Sequence, residues 1–202
     1  MANPTYLRKN PEEAVVGLRV KSGFAIAVLV AGPVRSPQVL DRRVIDLSDP
    51  AVPESRQPHH AEFAMLEEDQ VKLARRLKIV ERVTNTSVTK LLEDYRSMGC
   101  RPRGAALAVG SVIDPASITN PHIRAHALEG RLFRTVLEEA LTSGGLRCFV
   151  LVERDAYAKA SSVLGRAEAE LKRAVTSLGH SLTGSWRAEE KLAALAAWMA
   201  LA

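Results

Sequence analysis

Residues 14–32, AVVGLRVKSGFAIAVLVAG, constrain this chain more than any other segment. Two apolar runs, residues 15–20 and Phe24–Ala31, are separated by a short polar turn, with Gly17 inside the first run and Gly23 opening the second. A third run, VLDRRVIDL over residues 39–47, follows the break at Gly32-Pro33. Charges in its middle suit the edge of a sheet. Strands joined by connections this short can only pair as an antiparallel meander.

The period then changes. Residues 48–58 hold Pro50, Pro53 and Pro58 and read as a loop. Over residues 61–98, Leu66, Leu73, Leu77, Val80, Val88, Leu91, Tyr95 and Met98 form one apolar stripe at helical spacing. This predicts one long helix, or two split at the weakly helical Thr84-Asn85-Thr86-Ser87, stopped by Gly99. Residues 103–110 contain the buried-strand run ALAVG. Asn120-Pro121 signals a helix start, and Ser143-Gly144-Gly145 its end. Residues 148–152 are a further strand. Helical pattern resumes near Ala156, breaks around Gly165 and continues to Leu178. A last helix, capped by Ser185, is polar through Lys191 and then almost wholly apolar. The later strands return through helices and therefore run parallel to the first. The order predicts an α/β fold with a mixed five-stranded sheet, a three-strand antiparallel meander plus two parallel strands, and helices on both faces. Residues 1–13, polar and carrying Pro4 and Pro11, read as a flexible arm ahead of one domain over residues 14–202.

Aromatics make up only 4% of the 202 residues, so the core must be built from Val, Leu, Ile and Ala. A net charge of +5 suits a polyanionic partner; the plain alternative is a basic surface with no nucleic-acid role. Cys100 and Cys148 lie far apart with no spacing motif, which argues against a disulfide framework or a cysteine metal site. The first residues lack the apolar core of a secretory leader, and no apolar stretch is long enough to span a bilayer. A cytoplasmic protein with no membrane role is the expectation.

The element order and several local runs resemble the ribonuclease H-like superfamily, most of all its branch of Holliday-junction resolvases and YqgF-like proteins. VVGLRVKSGFAIAV resembles the first hairpin of that branch. Leu107-Ala108-Val109-Gly110-Ser111 resembles its fourth strand, and Val150-Leu151-Val152-Glu153-Arg154 its fifth. Glu190-Lys191-Leu192-Ala193-Ala194 resembles its last helix, which normally starts with a catalytic aspartate. The resemblance implies metal-assisted phosphodiester cleavage, with carboxylates from separate elements holding two Mg²⁺ or Mn²⁺ ions. It also implies an aspartate in the first strand, where this chain has Arg19. A cation there repels a metal.

Four carboxylates sit at element ends where this fold gathers its ligands: Glu62, Asp114, Glu153 and Glu190, with Glu189 beside the last. They are the candidate catalytic residues, and Glu153 and Glu190 the candidate hard-metal ligands. Helix-dipole preference for acids in a first turn and turn chemistry at Asp114-Pro115 explain several of them without a site. Gln57-Pro58-His59-His60-Ala61-Glu62 is the densest polar cluster, making His59 and His60 candidate transition-metal ligands or an acid–base pair. His122 and His126, four residues apart, share one helical face. Loop and surface histidines are the plain reading of both pairs. Arg19, Lys21 and Arg154 are the candidate nucleic-acid contacts, since guanidinium groups suit phosphate.

Together these features predict a nucleic-acid-associated protein, a degenerate or atypical resolvase-like nuclease that takes branched DNA or structured RNA. If active, it is a metal-dependent phosphodiesterase. Two alternatives stand beside this: a non-catalytic interaction protein that keeps the fold and pairs with a partner or as a homodimer, and an enzyme built around His59 and His60.

Overall fold

A computed structural model describes residues 12–61, 65–181 and 183–202. At its centre is β1 (Glu12–Lys21), whose residues Ala14, Val15, Val16 and Leu18 are all fully buried. A strand apolar on both faces can only be central. β2 (Phe24–Ala31) and β3 (Gln38–Asp46) continue from it antiparallel, while β4 (Cys100–Val109) and β5 (Arg147–Val152) pair parallel on its other side. The order is β3-β2-β1-β4-β5. The charged β3 takes the edge, and the apolar β1 and β4 are interior, as their sequences require.

Helices cover both faces. α1 (Gln70–Ser97) and α2 (Pro121–Ser143) pack on the side of Val16, Leu18 and Leu29, through Val88, Leu91, Phe133 and Leu137. α3 (Ala156–Leu164), α4 (Glu168–Leu178) and α5 (Ala188–Leu201) lie on the other. α5 is buried nearly all round from Leu192 to Trp198, and the Trp198 indole N–H donates to the Val34 carbonyl at 2.7 Å. This helix is therefore used in the chain's own core. Its alanines allow close approach to the sheet, and Gly17 completes the fit: a Cβ at Gly17 would lie 1.9 Å from the Ala193 carbonyl oxygen. Among the described residues no helix is long and apolar enough to cross a membrane.

Two helix starts differ from the sequence reading, and of the two alternatives for α1 the single unbroken helix is the one observed. α1 begins at Gln70, not near residue 61, because the Asp69 carboxylate accepts from the N–H groups of Val71 and Lys72 and caps it there. Thr84 does not split α1; it is buried between Val80 and Val88, and packing overrides its weak propensity. α5 is capped not by Ser185 but by Glu190, whose carboxylate reaches back to the Arg187 N–H at 3.0 Å. Most of the expected arm, residues 1–11, lies outside the described residues, and β1 already begins at Glu12.

Candidate functional site

β1, β4 and β5 are parallel, so their carboxyl ends share one edge of the sheet, the edge where open α/β folds build sites. Arg19 and Lys21 occupy the end of β1, Gly110 follows β4 and Glu153 follows β5. Gly17, Arg19 and Lys21 alternate onto the face covered by α5. With Ala193 over Gly17, one helical turn back along α5 is Glu189. Four helical residues span about 6 Å and two strand residues about 6.6 Å, so Glu189 falls over Arg19.

The contacts follow from that register. Arg19 Nε donates to Glu189 Oε2 at 2.6 Å, and its Nη2 donates to Glu153 Oε2 at 2.6 Å. Lys21 Nζ donates to Glu189 Oε1 at 2.7 Å. The Arg19 side chain is only 6% exposed, against 53% for Glu153 and 34% for Glu189. A buried guanidinium thus bridges two carboxylates held at the rim. Partial burial alone would push the Glu189 carboxyl up, but hydrogen bonds from Lys21 and Arg19, and their charges, hold it below the usual glutamate range. Folded Glu189 therefore binds its proton less readily than in the unfolded chain. Its contribution to stability is present above the ordinary glutamate pKa and is lost as pH falls through the folded value. In urea titrations the advantage of the wild type over Glu189→Gln is expected to shrink on acidification below the glutamate range; a pH-independent difference would contradict this.

These residues do not fit a two-metal centre. Two carboxylates and two cations sum to no net charge, and arginine keeps its proton in proteins. The guanidinium stands between the very oxygens a dication would need. Asp114 and Glu190 do not join the cluster. Asp114 is used locally, accepting from the Ala116 N–H at 3.1 Å, and Glu190 is turned onto the N-terminus of its own helix. Arg154 is solvent-exposed beside Asp155 at 3.6 Å. Glu62 lies outside the described residues.

Between the ion pairs and α2 is a cleft of about 270 Å³ whose wall includes Arg19, Lys21, Ser111, His126, Arg131 and Arg134. Arg19 and Lys21 are committed to carboxylates; Arg131 and Arg134 form no ion pair among the described residues. Val112 and Ile113, on the loop after β4, also line the cleft and are more than half exposed.

The histidines regroup across the fold. His60 meets His122 and His126 on α2, with ring centroids 5.4 Å and 4.5 Å away. His60 Nδ1 lies 2.6 Å from Oε1 of Glu129, which is fully buried. Burial pushes the Glu129 carboxyl up to about 8, with the His59 backbone N–H and the charge of His122 pulling the other way. His59 is buried apart from this group, and burial, with Arg131 and His60 nearby, takes it down to about 4, so it is neutral at neutral pH. Sequence reasoning missed Glu129. Its signal was its position on the stripe Ala125, Glu129, Phe133, Leu137, Leu141, an acid in the buried row of α2.

No protein-family model matches the chain, and no curated protein matches it either. Solved structures do. The RuvC of Thermus thermophilus in complex with Holliday junction substrate is 13% identical with a TM-score of 0.56, over 94% of this chain and 93% of that one. A second T. thermophilus RuvC structure gives 13% and 0.55, over 93% of each chain. The yeast mitochondrial Holliday junction resolvase is 11% identical over 95% of this chain and 81% of that one, with a TM-score of 0.49. The fold is therefore ribonuclease H-like, of the Holliday-junction-resolvase type; at these identities the likeness is one of fold.

Proposed function

We propose that this chain binds branched DNA or structured RNA and does not cut it by two-metal chemistry. The observation that carries this reading is the Arg19 guanidinium, fixed at 2.6 Å from both Glu153 and Glu189 where the resemblance calls for a metal-binding acid. Arg131 and Arg134 on the cleft wall are the phosphate contacts, rather than Arg19 and Lys21, whose charges are already paired with Glu153 and Glu189. Val112 and Ile113 offer apolar surface against bases unstacked at a branch point. A RuvC of this fold has been solved in complex with Holliday junction substrate, which supports a nucleic-acid partner.

The test is fluorescence binding of the full chain to a four-way junction across a salt series, with gel assays of the same samples in Mg²⁺ and Mn²⁺. Binding is expected at low salt, falling linearly on a log–log plot. Arg131→Glu and Arg134→Glu are each expected to weaken it and lower the slope by roughly 1. No cleavage is expected with either metal. Absence of binding at low salt overturns the nucleic-acid reading and leaves the interaction-protein alternative. Mn²⁺-dependent cleavage lost in Glu153→Gln overturns the non-cutting one.

A further inference from the structure

We propose that His60, His122 and His126 form a binding site for one transition-metal dication of the Zn²⁺ type, with Glu129 orienting His60 from outside the coordination shell. The site is distinct from the ion pairs around Arg19, and it stands whether or not the cleft takes nucleic acid.

One ring nitrogen from each of the three histidines lies within 4.8 Å of the others. Nε2 of His122 and Nε2 of His126 are 3.2 Å apart. Zn–N bonds are about 2.0–2.1 Å, so two tetrahedral ligands sit about 3.3 Å from each other. The α2 pair already has that separation, as the four-residue spacing on one helical face allows.

His60 supplies the third nitrogen. Its Nδ1 is taken by Glu129 at 2.6 Å. Its Nε2 is buried with no hydrogen-bond partner among the described residues, and the side chain is only 10% exposed. A buried ring nitrogen left without a partner is costly, and a metal ion removes that cost. Metal binding selects the tautomer in which Nδ1–H donates to Glu129 and Nε2 presents its lone pair to the ion. A carboxylate behind a ligating histidine is the common outer support of zinc sites.

Access agrees with this assignment. His122 and His126 are exposed, so an ion can enter from solvent. Three nitrogen donors select Zn²⁺, Co²⁺, Ni²⁺ or Cu²⁺ over Mg²⁺. Three protein ligands leave a fourth position for solvent or another ligand. The ion would also tie the loop before α1 to the first turns of α2.

Chelator-stripped full-length protein is titrated with Zn²⁺ by calorimetry and with Co²⁺ by visible absorption. One ion per chain is expected, with a tetrahedral Co²⁺ spectrum, a rise in melting temperature on Zn²⁺ addition and none on Mg²⁺. His122→Gln and His126→Gln change exposed side chains, so both are expected to fold. Each should weaken binding at least roughly tenfold, and Glu129→Gln should weaken it roughly 10- to 100-fold. If Zn²⁺ and Co²⁺ fail to bind at micromolar concentration, the proposal is overturned. It is equally overturned if the His122→Gln/His126→Gln double variant binds them as the wild type does. Junction binding measured on the same metal-free samples reports separately on the cleft.

Discussion

Gly17→Ala is expected to be the most damaging single-methyl change in this protein. The added Cβ would sit 1.9 Å from the Ala193 carbonyl oxygen, 2.8 Å from its carbonyl carbon and 2.9 Å from the Ala197 nitrogen. All three are backbone atoms of α5, so no rotamer change relieves the clash. Either β1 or α5 must move, yet both are buried on all sides: Val15, Val16 and Leu18 in the strand and Leu195, Ala196 and Ala197 in the helix are fully inaccessible. Overpacking typically costs about 1–3 kcal/mol where side chains can adjust, and this site offers none that can. A loss of at least about 3 kcal/mol is expected, which lowers the melting temperature by about 6–12 °C for a chain of this size. Displacing α5 also draws Glu189 off Arg19, so the variant should lose the Glu189 contribution described above. A melting temperature within a degree or two of wild type would mean that α5 does not rest on β1 at Gly17.

The sheet was legible because its strands announce themselves locally. The runs AVVGLRV and FAIAVLVA are apolar on both faces, and the charges of VLDRRVIDL mark an edge; these observations already imply β3-β2-β1 in that order. The start of α1 was not legible. Leu66 continues the phase of the later stripe, and Glu67 and Glu68 look like a solvated helical face, so nothing in the pattern separates Asp69 as a cap from its neighbours. In the site, Arg19, Lys21 and Glu153 could be read because each follows directly from a strand. The choice between Glu189 and Glu190 could not. Adjacent helical residues point about 100° apart, and only the packing of Ala193 on Gly17 sets the rotation of α5. The histidines show the same limit from another side. His59-His60 and His122/His126 are each visible as pairs, but the distance between a loop and the start of α2 is tertiary information. Only one member of the first pair belongs with the second.

Removing the two carboxylates around Arg19 is expected to cost much more than removing Arg19 itself. Exposure decides this. Glu153 is 53% and Glu189 34% exposed, whereas the Arg19 side chain is 6% exposed. In Arg19→Met the two carboxylates can take up water, and Glu189 keeps Lys21 at 2.7 Å. The methionine fills a similar volume with apolar atoms against the Ala-rich α5. Removing one partner of an ion pair is costly only where it strands a buried charge, and these carboxylates are not buried, so a change of about 1 kcal/mol or less is expected. In Glu153→Gln/Glu189→Gln the guanidinium stays buried with neutral amides as partners, plus the Ala108 carbonyl at 3.4 Å. Stranding a buried charge in this way costs about 3–5 kcal/mol. Urea unfolding of the three proteins, with m-values compared to exclude a change of mechanism, measures the difference directly. The opposite ordering would show that the guanidinium is solvated well enough to stand alone, and with it the argument that Arg19 fills a metal's position would fall. The same pair of variants separates structure from binding. Arg19 is paired with two protein carboxylates, so Arg19→Met should leave junction affinity within about twofold, inside the spread of a non-contacting residue. A loss as large as that of Arg131→Glu would instead make Arg19 a direct phosphate contact, which requires Glu153 and Glu189 to release it when nucleic acid binds.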